Sequence, residues 1–307
     1  MRDAAGESAA ATARYVTGAL YGVSAVCIWA LWIAITRYGV KSSLTAYDLT
    51  MLRFATAGLI LLPVVLRKGW ALERLGWTRL LVLVCGAGAP YVLVASSGLR
   101  FAPAAHGGAM MPGVMPLFVA LLSLVLFKEK FSPSRKAGYA LIAAGVAAIV
   151  GVSSLGVREQ TLGHALFLSA AFIWSCYAIA LRQSRLDSLH ATALVSVGSC
   201  VLYLPFYFWS QGLHVLAAPL RDIAFQAVFQ GVIVSIVALF LFGKAIETLG
   251  ASAGAAFGAL TPALAALLAI PILGEVPSAR DWAAILSVST GVYLASGGRL
   301  PKWGATA

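Results

Sequence analysis

The segment Pro116-Leu-Phe-Val-Ala-Leu-Leu-Ser-Leu-Val-Leu-Phe-Lys-Glu129 decides how the chain is interpreted, because a similar segment, Pro262-Ala-Leu-Ala-Ala-Leu-Leu-Ala-Ile-Pro-Ile-Leu-Gly-Glu275, follows later. When Pro116 is aligned with Pro262, 10 of 36 ungapped positions are identical. The abundance of Ala and Leu raises chance agreement at those residue types, but it does not align Pro, Glu and Gly in the same order. The chain therefore contains an internal repeat at an offset of 146 residues.

A second match extends the repeat toward the amino terminus. The stretch Ser24-Ala-Val-Cys-Ile-Trp29 is matched by Ser169-Ala-Ala-Phe-Ile-Trp174 at an offset of 145 residues. The two matches divide the chain into similar halves with polar ends. We predict a polar cytoplasmic tail at 1–17, a first repeat at 18–151, a linker at 152–162, a second repeat at 163–298 and a cytoplasmic tail at 299–307.

Composition identifies the environment in which these repeats fold. Of the 307 residues, 61% are hydrophobic and 11% are charged, whereas soluble proteins carry about 25% charged residues. These values and a mean hydropathy of +0.90 exclude a soluble domain and a disordered chain. The apolar runs are continuous, which excludes a transmembrane β-barrel with its alternating strands. The sequence therefore predicts an all-α integral membrane protein.

Ten apolar runs are long enough to cross a bilayer, which requires about 20 helical residues. They are 18–36, 47–66, 79–99, 104–127, 134–151, 163–181, 191–209, 223–243, 252–273 and 281–297. Each repeat then holds five transmembrane helices, and because five is odd the second repeat enters the membrane from the opposite side. The predicted fold is ten helices in two inverted five-helix repeats, an arrangement typical of secondary transporters. Gene duplication alone would leave the same symmetry.

Charged residues indicate the orientation and the surroundings of the chain. Of the 22 Lys and Arg residues, fifteen fall in one set of alternate loops and six in the other. Because positive loops stay in the cytoplasm, both termini are predicted to be cytoplasmic. The basic residues form no dense patch, so anionic lipid headgroups are expected as partners and nucleic acid is not. Neither a metal site nor a cofactor is predicted, since the four cysteines match no metal or redox spacing.

The proline helices and the residues that end them resemble a known family. One helix ends in Leu126-Phe-Lys-Glu129 and its counterpart in Leu273-Gly-Glu275, and a Gly-rich helix follows each. This pattern is similar to the drug/metabolite transporter superfamily, specifically its EamA-like exporters, and the resemblance covers nearly the whole chain. It implies a ten-helix exporter of amino acids, other metabolites or drugs in a bacterial-type inner membrane.

Within that family, three aromatic residues are most similar to the branch that exports aromatic and neutral amino acids: Trp29, Tyr91 and Trp174. One departure is informative. Many relatives carry an acidic residue just before the repeat proline, where this chain has Met115 and Thr261. The departure argues against a proton or cation site built on a carboxylate at this position.

Aromatic residues inside the spans are candidate contacts for a substrate. Trp29 and Trp174 occupy equivalent positions near mid-bilayer, where two indoles across a shared cavity would stack on an apolar side chain or attract an ammonium. Tyr91 follows Pro90, which loosens the helix, and Met115 offers a flexible thioether. Ordinary helix packing is the alternative for each. The predicted substrate-binding residues are Trp29, Tyr91, Met115, Trp174 and Tyr177.

Prolines in equivalent helices are candidates for hinge or gating residues. They are Pro112, Pro116, Pro262 and Pro271, which fall in the fourth and ninth runs. Proline removes a backbone hydrogen bond and bends a helix, so these residues could allow the movement that alternating access requires. A static kink is the alternative interpretation.

Ionisable residues are absent from mid-bilayer positions with one exception. None of the eleven acidic residues falls at the centre of a run, and Arg53 is the one basic residue inside a run. An ion pair with Asp48 is the conservative interpretation of Arg53, and capture of a substrate carboxylate is the alternative. Glu129 and Glu275 lie at helix ends and are interpreted as structural anchors. His106 is expected to cap a helix or to lie at an interface.

These features predict a monomeric exporter that moves aromatic, neutral or other apolar amino acids outward by alternating access. Because no buried acid is predicted, movement should follow the substrate gradient without obligatory ion exchange. The alternative is efflux of amphipathic drugs or other small metabolites, which an aromatic cavity does not exclude. An enzyme is not predicted, because the sequence has no His cluster, nucleophile elbow, phosphate loop or paired carboxylates.

Overall fold

A computed structural model of the chain describes residues 2–153, 158–250 and 256–298, and within these ranges it contains helices and no strand. We number the helices in chain order and count interrupted segments together. They are α1 Arg2–Val40, α2 Ala46–Lys68, α3 Leu72–Phe101, α4 Ala104–Phe127, α5 Pro133–Ser153, α6 Arg158–Ser184, α7 Ser188–Gln211, α8 Leu220–Leu249, α9 Ala256–Leu273 and α10 Ala279–Ala295.

Eight of these helices, all except α5 and α10, are long and apolar enough to cross a membrane. The first helix begins at Arg2, so the residues expected to form a polar tail continue α1 as helix. The predicted linker is short, because α5 ends at Ser153 and α6 begins at Arg158. Residues 154–157 and the predicted tail at 299–307 lie outside the described part of the chain.

Helix packing repeats between the two halves of the chain. Helix α1 packs on α8 and α9, and the equivalent helix α6 packs on α3 and α4. The pairs α2 with α7, α4 with α9, and α5 with α10 each join a helix to its own counterpart. This packing pattern is unchanged when the two halves are exchanged, as an internal two-fold relation requires.

Polar contacts show which helix ends lie together at one face. Arg37 in the last turn of α1 pairs with Glu275, which follows the end of α9. Glu275 also accepts a hydrogen bond from the backbone N–H of Ala104 at the start of α4. A ring nitrogen of His106 in α4 lies 3.0 Å from one of His164 near the start of α6. We call this surface the Arg37 face.

A second set of contacts defines the opposite surface, which we call the Arg182 face. Arg182 near the end of α6 pairs with Glu129, which follows the end of α4. Lys68 at the end of α2 pairs with Asp187, which precedes α7. Therefore α1 ends at the face where α6 begins, α4 begins where α9 ends, and α2 ends where α7 begins. Equivalent helices of the two halves run in opposite directions.

Both proline helices are interrupted at equivalent positions. Helix α4 consists of Ala104–Met110 and Met115–Phe127 with a turn between them, and Pro116 lies in the first turn of the second segment. In α9 a turn precedes Thr261–Leu273, and Pro262 occupies the same place. The first turn tolerates proline because its N–H groups have no helical partner. Pro271 lies inside the second segment of α9.

Candidate functional site

Four aromatic side chains from both halves form one continuous group near the centre of the bundle, and we call it the aromatic cluster. The rings of Trp32 and Tyr91 are stacked with centroids 6.2 Å apart. Tyr91 also contacts Trp174 at 4.8 Å, and Trp174 contacts Tyr177 at 5.2 Å. The cluster therefore joins α1 and α3 of the first half to α6 of the second half.

A break in α3 positions Tyr91 within this cluster. The helix is interrupted at Gly88, and the segment Ala89–Phe101 begins there with Pro90 in its first turn. A Cβ atom at Gly88 would lie 1.9 Å from the carbonyl oxygen of Val84 and 2.0 Å from Ser199 Oγ, so only glycine fits. Ser199 Oγ accepts a hydrogen bond of 3.1 Å from the backbone N–H of Ala89, which satisfies a helix donor at the break.

Buried amide side chains of α8 hold the Trp32 indole in place. Trp32 Nε1 donates to Gln230 Oε1 at 2.8 Å. Gln230 Nε2 in turn donates to Thr36 Oγ1 at 3.0 Å and to Gln226 Oε1 at 3.1 Å. Gln230 lies in a stretch of π-helix, Ala227–Val237, whose wider turn departs from regular α-helical geometry. Because both ends of the Gln230 amide are bonded, the indole orientation is fixed.

Arg53 of α2 lies beside the aromatic cluster, and no acidic side chain that the structure describes pairs with it. Its guanidinium carbon is 5.7 Å from the ring centroid of Trp32 and 5.7 Å from that of Phe54. The Arg53 side chain is buried, and its Nε has no hydrogen-bond partner among the described residues. Close packing of α8 on α2 at Gly231, where an added Cβ would lie 2.5 Å from Thr56, contributes to this burial.

The predicted ion pair between Arg53 and Asp48 is wrong. The fully buried Asp48 carboxylate accepts hydrogen bonds from Thr45 and from the Tyr207 hydroxyl, and it lies 3.0 Å from His214 Nδ1. Arg53 is five positions after Asp48, and a spacing of five places two side chains on different faces of a helix, whereas a spacing of three or four brings them together. Arg53 therefore faces the aromatic cluster while Asp48 faces α7.

The other predicted site residues are distributed in two ways. Tyr91, Trp174 and Tyr177 are brought together in the aromatic cluster. Met115 contacts α6, the helix that carries Trp174 and Tyr177, because its carbonyl oxygen accepts a bond of 3.2 Å from Ser175 Oγ. Trp29 has a different neighbour, Phe242 of α8, at a ring distance of 4.9 Å.

Two functional candidates were not among the predicted substrate-binding residues, namely Trp32 and Gln230. The signal for Gln230 was available, since two amides four residues apart, Gln226 and Gln230, interrupt an otherwise apolar run and share a helix face. Trp32 lies three residues after Trp29 and matches Tyr177 in the other half, and this match alone makes it a candidate to extend the same helix face by one turn. Trp32 therefore adds α1 to the site, and Gln230 adds α8.

The ion pairs at the two faces are equivalent under the internal repeat. An offset of 145 relates Arg37 to Arg182, and an offset of 146 relates Glu129 to Glu275. Arg37 pairs with Glu275 at one face, and Arg182 Nη2 lies 2.6 Å from Glu129 Oε1 at the other. The predicted anchoring glutamates therefore each join the end of one proline helix to the first helix of the other half.

The Arg37 face contains a further polar group at a helix interface. His106 of α4 lies between His164 of α6 and Asp281 at the start of α10, with a distance of 3.2 Å from its Nε2 to Asp281 Oδ1. This places His106 at an interface, as predicted. The carboxylate of Asp281 also accepts bonds from Ser278 and so caps α10.

A cavity of about 550 Å³ lies apart from the aromatic cluster, between α2, α7 and α8. Its walls combine apolar side chains with charged groups at the Arg182 face, namely Leu61, Leu189, Ile236, Phe240, Asp187, Lys244 and Glu247. No residue of the aromatic cluster lines it, and it shares no wall with Arg53. The aromatic cluster and Arg53 are the better candidate for a substrate site, because buried rings and a buried guanidinium meet there, whereas the charged walls of the cavity lie at the Arg182 face.

Fold and site together define a multi-pass helical membrane protein whose two antiparallel halves meet around aromatic side chains. Comparison with known families gives the same result in more detail. The EamA-like transporter family matches residues 16–151 and 161–297, one match for each half. The chain belongs to this family, and the predicted resemblance is confirmed. It is therefore grouped with transporters rather than with enzymes.

Two curated relatives are named as amino-acid exporters, one of them as a probable exporter. The aromatic amino acid exporter YddG of Ancylobacter novellus is 29% identical over 213 residues, which cover 64% of this chain and 71% of the relative. The "Probable terminal-alkyne amino-acid exporter" of Streptantibioticus cattleyicolor is 26% identical over 202 residues, which cover 64% of this chain and 66% of the relative.

A solved crystal structure shares the fold across nearly the whole chain. It is 23% identical, the match covers 91% of this chain and 96% of the other, and the TM-score is 0.59. At this identity the likeness concerns the fold alone. The fold that the two structures share therefore covers both halves of this chain and not just the repeated segments.

Proposed function

We propose that this protein exports aromatic and other neutral, apolar amino acids across a bacterial inner membrane. In this proposal ten helices span the membrane as two inverted five-helix repeats, with α5 and α10 as the fifth and tenth spans and both termini in the cytoplasm. The observation that carries the proposal is the aromatic cluster, because Trp32 and Tyr91 from one half meet Trp174 and Tyr177 from the other.

The chemistry of the aromatic cluster suits an amino acid with an apolar side chain. Aromatic rings in offset or edge-to-face contact contribute about 0.5–1.5 kcal/mol per pair beyond the burial of their area. The negative faces of indole and phenol rings also attract an ammonium group. The same rings would accept both the apolar side chain and the positive end of a zwitterion.

Alternating access is supported by the symmetry of the contacts. Because the two halves are similar and antiparallel, each half can adopt the arrangement of the other, which exchanges the face to which the site opens. The breaks before Pro116 and Pro262 supply places where α4 and α9 can bend. We propose that Pro112, Pro116, Pro262 and Pro271 act as hinge or gating residues in this exchange.

We propose that transport is facilitative. Asp48 is fully buried, so the expectation that no acidic residue is buried is wrong, but its carboxylate lies at the start of α2 and already accepts hydrogen bonds from Thr45 and Tyr207. Glu275 and Asp281, which also lie near helix ends, are bound to Arg37 and His106. The aromatic cluster itself contains no carboxylate. Flux in proteoliposomes should therefore persist without an imposed pH gradient, and a strict requirement for that gradient would contradict this part of the proposal.

Counterflow of labelled phenylalanine into proteoliposomes preloaded with unlabelled phenylalanine tests the main proposal. The wild-type protein should show saturable uptake that empty liposomes lack, and a panel of amphipathic drugs should compete weakly. Equal competition by the drugs, with no counterflow of amino acids, would favour drug efflux instead. That result would overturn the proposed substrate.

A matched pair of tryptophan variants localises the site. Trp174→Ala should reduce counterflow about three- to tenfold, because it removes about 0.5–1.5 kcal/mol of ring contact with the substrate. Trp209→Ala is the control, since this tryptophan is 83% exposed at the end of α7 and lies outside the aromatic cluster. Wild-type transport by Trp174→Ala, with an unchanged melting temperature, would remove Trp174 from the site.

A further inference from the structure

We propose that Arg53 binds the carboxylate of the transported solute, so that the site accepts monocarboxylates and rejects molecules without this group. The inference rests on the proposed function and assigns its substrate class more closely. It would make Arg53 a specificity residue that distinguishes an amino acid from its amide or its decarboxylated amine.

The first observation is that Arg53 has no anionic partner among the residues whose side chains the structure describes. Its side chain is 9% exposed, and Nε has no hydrogen-bond partner among the described residues. Six acidic residues of the described chain have a basic partner that is not Arg53, and these are Asp48, Glu129, Asp187, Glu247, Glu275 and Asp281. Asp222, at the start of α8, and Glu73 and Glu159, at the starts of α3 and α6, form no ion pair with it either.

The second observation is that the existing contacts of Arg53 are too weak to offset its burial. Two rings at 5.7 Å supply cation–π attraction. Each such contact contributes about 0.5–2 kcal/mol, whereas removing an ion from water costs several kcal/mol even after relaxation. An ionised side chain inside a membrane helix bundle normally meets an opposite charge or lines an ion or substrate path. Since no such charge pairs with Arg53 in the described part of the chain, the ligand is its natural source.

The third observation is the position of Arg53 relative to the aromatic cluster. The guanidinium lies beside the Trp32 ring, and the chain of ring contacts continues from Trp32 through Tyr91 to Trp174. A ligand whose carboxylate meets Arg53 therefore extends its remaining atoms along the rings. The planar guanidinium offers paired N–H donors that match a carboxylate, and Gln230 holds the intervening Trp32 indole in a fixed orientation.

Competition of counterflow in the wild-type protein tests the requirement for a carboxylate. With labelled phenylalanine as substrate, 3-phenylpropionate should compete, whereas phenylalaninamide and phenethylamine should compete about tenfold to a hundredfold less well, as expected for loss of a charge-assisted hydrogen-bonded pair. Equal competition by all three compounds would overturn the inference while leaving amino-acid export intact. Absence of any phenylalanine counterflow would instead overturn the proposed function.

Variants at Arg53 provide a second and independent test. Arg53→Gln should raise the KM for phenylalanine about tenfold or more, and Arg53→Lys, which keeps the charge but loses the paired donors, should fall between this variant and the wild type. Arg100→Gln is the matched control, because Arg100 is exposed at the end of α3 and should transport normally. An unchanged KM in Arg53→Gln would overturn the inference.

Thermal stability separates ligand binding from a structural role. Because Arg53 is a buried charge with no anionic partner among the described side chains, Arg53→Gln should melt at or above the wild-type temperature without ligand. The rise in melting temperature with 3-phenylpropionate should disappear. A large drop in stability without ligand would mean that Arg53 serves the fold, and would overturn the inference. Stabilisation of the wild type by chloride but not by 3-phenylpropionate would assign the residue to an inorganic anion and would also overturn it.

Discussion

The Arg37 and Arg182 faces carry the same ion pair in two different surroundings. At the Arg37 face the arginine and glutamate side chains are 7% and 20% exposed, and the guanidinium also donates to the carbonyl oxygens of Leu99 and Ala102. At the Arg182 face the equivalent arginine and glutamate are 62% and 31% exposed. The repeat thus places one pair inside a network and leaves the other mostly in contact with solvent.

This difference shows how nearly equivalent halves can differ in energy. Removing one partner of a buried pair costs about 3–5 kcal/mol, because a charge is left without compensation. An exposed pair contributes about 0–1 kcal/mol. In the proposed transport cycle, the Arg37 face is therefore held together more firmly than the Arg182 face in this conformation. The predictions that follow would break or refine this comparison, from the largest expected effect to the smallest.

The largest effect is expected from Glu275→Gln. The change leaves Arg37 buried without an anion, and it weakens the link between α1, α4 and α9. We expect a loss of about 3–5 kcal/mol, seen as a large fall in melting temperature in detergent. Glu129→Gln is the matched control at the equivalent position, and equal effects of the two variants would contradict the asymmetry of the faces.

A smaller loss is expected from Tyr207→Phe, which tests a second buried network near the Arg37 face. The Tyr207 hydroxyl donates to the fully buried Asp48 carboxylate and accepts from the backbone N–H of Val215. Its removal should cost about 1–3 kcal/mol, since a buried charge loses a hydrogen bond. Tyr38→Phe, at an exposed tyrosine of α1, should leave the melting temperature unchanged.

At the Arg182 face, Arg182→Gln should cost at most about 1 kcal/mol. Its effect should shrink further in high salt, because exposed charges are screened. Melting curves at low and high ionic strength measure both quantities. A loss as large as that of Glu275→Gln would show that the exposed pair contributes as much as the buried one.

The smallest effect is expected from Asp187→Asn, which removes the ion pair with Lys68 but keeps a side chain able to cap α7. The Lys68 ammonium and the backbone N–H of His190 lower the pKa of the Asp187 carboxyl below its ordinary value. This stabilisation is present above the ordinary carboxyl pKa and is lost as the pH falls through the lowered one. The wild-type advantage over Asp187→Asn should therefore be small at pH 7 and vanish in acid.

Asp187→Ala is the companion variant, since it removes the cap as well as the ion pair. It should cost about 1 kcal/mol more than Asp187→Asn, and this additional loss should equal the value of the hydrogen bond from the His190 backbone N–H. Equal losses for the two variants would show that the cap contributes nothing to the stability of α7.

The sequence predicted the halves of this protein better than it predicted the site. Repeated Pro, Glu and Gly positions are fixed by backbone geometry and helix ends, so they recur in both halves and reveal the repeat, and the EamA-like family matches each half separately. The start of α1 was placed at residue 18 because polar residues precede it, yet helix continues back to Arg2, since polarity alone does not end a helix.

Site residues were harder to predict because repeat equivalence does not imply equivalent neighbours. Trp29 and Trp174 match in sequence, but Tyr91 has no aromatic counterpart in the second half, where Ile236 and Val237 occupy its place. Trp174 therefore gains a tyrosine neighbour while Trp29 packs on Phe242. The partner of Arg53 was also predicted wrongly, because its closeness to Asp48 along the chain does not show that the two side chains face different sides of α2.

Access to the site from both sides of the membrane is the most direct test of the account. The test uses a single cysteine in place of Met115, which contacts α6 next to Trp174. The background is a protein in which Cys27, Cys85, Cys176 and Cys200 are replaced by serine. Sealed vesicles are then treated with a membrane-impermeant thiol reagent on either side. The account predicts labelling from both sides and protection by phenylalanine. Labelling from neither side, or from one side alone under all conditions, would contradict it.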